Sequence, residues 1–194
     1  MNPLLRIAHR VNTVEGLKRT PPWLGVEVDL RDQGTRVIVQ HDPFKEGPDF
    51  KVYLKHFRHR FIILNVKCEG IEARVLEMVK RRGVENFFFL DLSLPAAVNL
   101  VRQGERRIAL RCSEYEPPEA CLRFRGKIEW AWIDCFNRYP SMGAAYARLR
   151  RHFKTCLVAP ELQARPPLGP AQARGILSRY QPHAICTKFP DLWV

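Results

Sequence analysis

The chain has 194 residues, the size of one domain, and 32 Lys+Arg against 20 Asp+Glu leave it a net charge of +12. Its 46% hydrophobic and 27% charged residues exclude a disordered or fibrous protein, and no apolar run approaches the ~20 residues needed to span a membrane. Six cysteines without a CxxC pair exclude a disulfide framework or a clustered zinc site, and the apolar start, broken by Arg6, is a poor export signal, so a reducing cytoplasm is expected.

Short β-branched or aromatic runs punctuate the chain. They lie at 5–9 (LRIAH), 25–30 (GVEVDL), 36–41 (RVIVQH), 61–66 (FIILNV), 86–92 (NFFFLDL), 107–112 (RIALRC), 130–136 (WAWIDCF), 154–159 (KTCLVA) and 183–188 (HAICTK). The turn RDQGT between the second and third runs predicts an antiparallel hairpin and no helical crossover. One or two helical turns are expected at 52–57 and longer helices at 69–82, 95–103, 141–152 and 170–180, with Pro95 and Pro170 in first-turn positions.

With the hairpin counted as an excursion, eight strands alternate with helices. The pattern predicts a compact (β/α)8 TIM-type barrel over residues 1–194, with a β-hairpin excursion after strand 2. About 24 residues per unit, against ~250 for a typical barrel of this kind, require short helices and short loops. A doubly wound open sheet would carry a Gly-rich phosphate turn after its first strand, and neither GxGxxG nor GxxxxGK[ST] is present.

In such a barrel the C-terminal strand ends carry the chemistry, and here they are polar: His9 and Arg10, Glu27 and Asp29, Asn65 and Lys67, Asp91 and Ser93, Ser113 and Glu114, Thr187 and Lys188. Asp134 is one position out of phase with Ala131 and Ile133, so it is expected to face a helix. Glu27 and Asp29, two apart, project to one strand face and make a hard-oxygen site suited to Mg²⁺ or Ca²⁺. With His9 and His41 as acid and base, and Arg10, Lys67 and a metal against phosphoryl oxygens, phosphodiester cleavage becomes feasible. Which histidine is acid and which is base is left open. The arginine doublets, such as Arg58/Arg60 and Arg150/Arg151, are scattered and lack any helix-turn-helix or aromatic-interleaved motif. The charge therefore points to a small anionic substrate or transient contact with anionic lipid, and to no specific nucleic acid.

The spacing His9-Arg10, Glu27-x-Asp29, His41-Asp42 resembles the signature of glycerophosphodiester phosphodiesterases, in the barrel superfamily that includes phosphatidylinositol-specific phospholipase C. The ending Ala184-Ile-Cys-Thr-Lys-Phe-Pro-Asp191 is similar to the family's last strand, and the strongest likeness covers residues 5–42. The resemblance implies a metal-assisted phosphodiester hydrolase of lipid metabolism, with His9 and His41 catalytic and Arg10 binding phosphate. It also implies that Glu27, Asp29 and the residue at 65 hold the metal, beside the phosphate-binding Lys67 read from the strand ends. Where the family has a glutamate, this chain has Asn65, and Asp91 or Glu114 are the candidates to restore the lost charge. Lys188 stands where the family often has an acid, and the insertion after the HD pair is reduced, which opens the mouth. The alternative reading is a catalytically weakened barrel that binds a phosphorylated ligand or a protein partner.

Overall fold

The structure, a computed structural model, describes residues 3–139 and 143–194. The strands are β1 (Leu5–Ala8), β2 (Gly25–Gln33), β3 (Arg36–Val39), β4 (Phe61–Val66), β5 (Phe87–Leu90), β6 (Ala109–Cys112), β7 (Trp130–Ile133), β8 (Lys154–Val158) and β9 (Ala184–Thr187). They form one sheet in the order β5-β4-β2-β1-β9-β8-β7-β6, and every pairing along it is parallel. β3 leaves this path and pairs antiparallel with the C-terminal half of β2, Leu30 opposite Val39, as the RDQGT turn predicts. Between β5 and β6 the one backbone pairing among the described residues is the bridge Phe89–Ile108, where the Phe89 amide donates to the Arg107 carbonyl at 2.9 Å.

The helices are α1 (Val14–Arg19), α2 (Phe50–His56), α3 (Glu72–Arg81), α4 (Leu94–Arg102), α5 (Pro118–Leu122), α6 (Gly143–Arg150) and α7 (Pro170–Tyr180). Pro170 opens α7 as expected, and the Gln172 side chain reaches back to the Gly169 amide at 2.9 Å. The helix expected from residue 141 is described from Gly143, and the expected positions 141 and 142 lie outside the described residues. α3 starts later than expected because Glu72 turns back to accept the Gly70 amide. α1 and α5 carry one buried residue each, Leu17 and Cys121, too little for a periodic pattern to reveal them.

The alternation of strand residues divides the core in two. Val26, Val28 and Leu30 of β2 and their counterparts on β4 face the helices, whereas Ile7, Ile63, Phe88, Trp130, Trp132 and Cys186 fill the barrel. The interior is plugged by aromatic rings: Trp130 lies 4.9 Å from Phe88 and 5.5 Å from Phe61, centroid to centroid. Gly25 makes room for this layer, since a Cβ there would sit 3.0 Å from Ile7 and 3.2 Å from the Phe61 Cβ. Because Trp130 and Trp132 point inward, Asp134 is in phase with the interior. The expectation that Asp134 faces a helix is corrected: Ala131 and Ile133 are the outward pair.

Phe88 is fully buried at the centre of this plug. Phe88→Ala is expected to cost about 3–5 kcal/mol, read as a shift of the urea unfolding midpoint with little change in slope.

Candidate active site

His9 is the first residue past β1, and its backbone amide donates to the Thr187 carbonyl of β9 at 2.9 Å. The next residue, Arg10, has φ 55°, a left-handed conformation uncommon for a side chain of this size. That turn aims the Arg10 amide at Glu27 Oε2, 2.7 Å away, while the Val11 amide donates to the Glu27 carbonyl at 2.8 Å. The Tyr53 hydroxyl from α2 donates to the Val11 carbonyl at 2.8 Å and holds the loop from behind.

Glu27 and Asp29 are both buried. Asn65 Nδ2 donates to Glu27 Oε1 at 2.8 Å, and His9 Nε2 lies 3.7 Å from Oε2. Burial, reinforced by the negative charge of Asp29, raises the Glu27 carboxyl to about 7 against the bonds from Asn65 and the Arg10 amide. Asp29 is bracketed by Asn12, whose Nδ2 donates to Oδ2 at 2.8 Å and whose Oδ1 accepts the Asp29 amide at 3.0 Å. Arg10 Nε stands 3.5 Å from Asp29 Oδ2 and Lys67 Nζ 3.7 Å from Oδ1.

From Lys67 a chain of charges crosses the mouth. Lys67 Nζ donates to Asp91 Oδ2 at 2.9 Å, and the Arg111 guanidinium grips Asp91 Oδ1 with one nitrogen and Asp134 Oδ2 with another. Asp91 would point outward by alternation, but its φ of 57° turns it into this network. The cations Arg111 and Lys67 outweigh its burial and hold the Asp91 carboxyl below its usual range. On the β8–β9 side, Glu161 accepts the Thr187 hydroxyl and, at 3.0 Å, the Lys188 amide.

The hairpin returns His41 to this rim, with the Gln40 amide bonded to the Asp29 carbonyl at 2.9 Å. His41 Nδ1 is 2.8 Å from Asp42 Oδ1, which orients the ring and leaves Nε2 for other work. Hydrogen bonds from Lys45 and His41 hold the exposed Asp42 carboxyl down at about 2. Arg10, Asn12, Gln40, His41 and Asp42 line an open cleft of about 480 Å³. Burial, with the positive charges of Arg10, Lys188, Lys67 and His41, depresses the His9 imidazole to about 3.

The structure thus gathers His9, Arg10, Glu27, Asp29, Asn65, Lys67 and Asp91 through direct contacts, with His41 across the cleft. It does not bring Glu114 to them: this exposed carboxylate accepts the backbone amides of Phe136, Asn137 and Arg138, each at 3.0 Å, and shapes the loop after β7. Asn12, Arg111, Asp134 and Glu161 belong to the mouth and were not among the candidates. Inward alternation with Ala109 was the available signal for Arg111.

No three His, Cys, Asp or Glu side chains converge as a metal cage among the described residues. What the chain offers is two buried carboxylates and the Asn65 Oδ1 atom, which is buried without a hydrogen-bond partner. An unpaired amide oxygen beside two carboxylates is a hard donor set, and it fits Mg²⁺ or Ca²⁺.

No family model and no curated protein sequence matches the chain. Its fold is shared with solved structures. A putative glycerophosphoryl diester phosphodiesterase from Agrobacterium tumefaciens superposes with TM-score 0.75 at 15% identity, covering 99% of this chain and 96% of the other. A glycerophosphoryl diester phosphodiesterase from Parabacteroides distasonis gives 0.67 at 12% identity, covering 98% and 84%. The tryptophan synthase α-subunit of Pyrococcus furiosus, another barrel, gives 0.62 at 12% identity, covering 97% and 88%. The resemblance to the phosphodiesterases read from the sequence therefore extends, as fold, over nearly the whole chain.

Two outcomes test the electrostatics. Arg111→Met removes the guanidinium shared by Asp91 and Asp134 and is expected to cost about 2–4 kcal/mol in urea unfolding. That is less than for a fully buried pair because the Arg111 side chain is 25% exposed. Folded His9 refuses a proton that the unfolded chain accepts at 6.5, so it weakens the fold as pH falls from 6.5 towards 3. In the chelator-treated protein, the NMR shifts of the His9 ring are expected to remain those of neutral imidazole at pH 5.

Proposed function

We propose that the protein is a metal-assisted phosphodiester hydrolase that uses His9 and His41 as its acid and base pair. One observation carries the reading: His9, two buried carboxylates, an unpaired amide oxygen, a lysine and an arginine meet at one barrel mouth, and His41 lines a cleft together with that arginine. The phosphodiesterases among the solved structures that share the fold support it.

Glu27, Asp29 and Asn65 would hold a divalent Mg²⁺ or Ca²⁺. When bound, the ion would neutralise charge on a phosphoryl oxygen. Arg10 and Lys67 flank the carboxylates from opposite sides and are placed to hold the remaining phosphoryl oxygens. His41, oriented by Asp42 through Nδ1, presents Nε2 to exchange a proton with the attacking or departing oxygen. His9 takes the complementary part. Burial and the cations around it hold it neutral, and an anionic phosphodiester in the mouth opposes the cations' field and raises its proton affinity. The substrate is a glycerophosphodiester-like or related phosphodiester. Buried Cys112, Cys121, Cys156 and Cys186 support a reducing, cytoplasmic setting.

One feature favours the second reading, a barrel that binds a phosphorylated ligand without turning it over. Three of the four carboxylate oxygens of Glu27 and Asp29 already accept protein hydrogen bonds, and the neutral Asn65 adds no charge to draw a metal. Hydrolysis of bis(4-nitrophenyl) phosphate with Mg²⁺, Ca²⁺ or chelator separates the two. Metal-dependent turnover is expected, and His41→Ala should lower kcat about 10²–10⁴-fold with an unchanged thermal midpoint. Full activity in that variant overturns the mechanism, and calorimetry showing no uptake of either ion favours the binding-only barrel.

A further inference from the structure

Seven large apolar residues are exposed among the described residues, and four of them sit on loops of the barrel face that carries the mouth. Phe44 follows His41, Leu94 opens α4 after β5, Tyr115 follows β6 and Phe189 follows β9. In the strand order these loops are spread around the rim and are not gathered on one side. Trp23, at 66% exposure, precedes the N-terminal end of β2 and so lies at the opposite end of the barrel.

Phe44 is the most telling of the four. It is fully exposed at 105% and holds φ at 60°, so it gains nothing from packing and its bulky side chain opposes its own backbone. Folding alone would select Asn or Gly there, and a position that is costly on both counts points to an external use. Each aromatic also has a cation at hand. Exposed Lys45 follows Phe44, though it also holds Asp42, and exposed Lys188 precedes Phe189. Exposed Arg138 lies on the loop whose Phe136 packs against Tyr115 at 5.8 Å.

We propose that this rim docks onto the surface of an anionic phospholipid bilayer, so that the mouth receives phosphodiesters carried in lipid headgroups. The docking surface stands on its own, and the lipid substrate rests on the phosphodiesterase reading. Single aromatics on separate loops, interleaved with Lys and Arg, suit a soft interface that closes around each anchor and leaves the cations at the headgroups. A protein partner would call instead for one continuous apolar patch with charge kept to its edge. The net charge of +12 adds long-range attraction to an anionic surface. No helix among the described residues is long and apolar enough to span the bilayer, so the contact is peripheral.

The test is co-sedimentation with vesicles of phosphatidylglycerol or of phosphatidylcholine at 0.1 M NaCl. Wild-type protein is expected to bind the phosphatidylglycerol vesicles, and the triple variant Phe44→Asn, Tyr115→Ser, Phe189→Ser to bind at least about tenfold more weakly. These residues are exposed and outside the catalytic constellation, so the triple variant should keep wild-type turnover of bis(4-nitrophenyl) phosphate. Phe44→Trp should be quenched by brominated lipid. Absence of vesicle binding, equal binding by the triple variant, or loss of binding only on Lys55→Glu and Arg81→Glu at the flank between α2 and α3 would overturn the proposal. Vesicle binding with neither turnover of the soluble diester nor release of a headgroup product from the vesicles would leave the docking surface standing and remove the hydrolase reading.

Discussion

Two carboxylates buried side by side on β2 set the terms for everything at the mouth. Glu27 and Asp29 share a strand face because alternation returns every second residue to it, and neither reaches solvent. Two negative charges in that position are costly unless the surroundings answer them. Around them the chain supplies the left-handed turn at Arg10, the bracketing amide of Asn12, the Asn65 side chain and the Lys67 ammonium. Arg10 and Asn12 come from the loop after β1, and Asn65 and Lys67 from the end of β4, so the same demand for compensation that makes the pair expensive also fixes the geometry of the two flanking strand ends. The neutral His9 follows from its burial in this arrangement, reinforced by Arg10 and Lys67, the cations that answer the carboxylates.

Compactness shapes the rest. With little chain per unit, most strands are four to six residues long, and bulky rings fill the barrel where longer strands would stack several layers of aliphatic side chains. The hairpin is the one generous element. β2 continues above the barrel and β3 brings the chain back level with Leu30, which delivers His41 to the rim. Without that excursion the chain would have to enter α2 directly, and the second histidine would have no route to the first.

Where period and turn chemistry spoke clearly, the architecture was legible in the residues: the eight runs, the hairpin and the inward pair on β2. The site was legible mainly where a residue lay on a strand or just past its end. The phase of Ala131 and Ile133 points Asp134 at a helix, but the large rings of Trp130 and Trp132 are the ones that face inward and Asp134 goes with them. Arg111 was hidden among many arginines. Asn12 and Glu161 lie on short loops, where no periodicity announces direction, and Glu114 was drawn off by three backbone amides that only the folded loop after β7 presents. Loop residues take their partners from tertiary structure, and a pattern in one dimension does not carry that information.

The seam between β5 and β6 has a further consequence. Elsewhere the barrel wall is continuous backbone ladder, but here it is one bridge, the Arg107 guanidinium stacked 4.0 Å from the Phe87 ring, and the Arg111 link from Asp91 to Asp134. A wall closed by side-chain charge is a wall whose cohesion depends on ionic strength and pH, unlike the rest of the cylinder. The molecule is therefore a curled sheet with a clasp, and backbone pairing does least to hold it shut along that line. Breathing there would expose the aromatic plug from the side and loosen Asp91 and Lys67 together, linking the slow motions of the scaffold to the charge balance at the mouth.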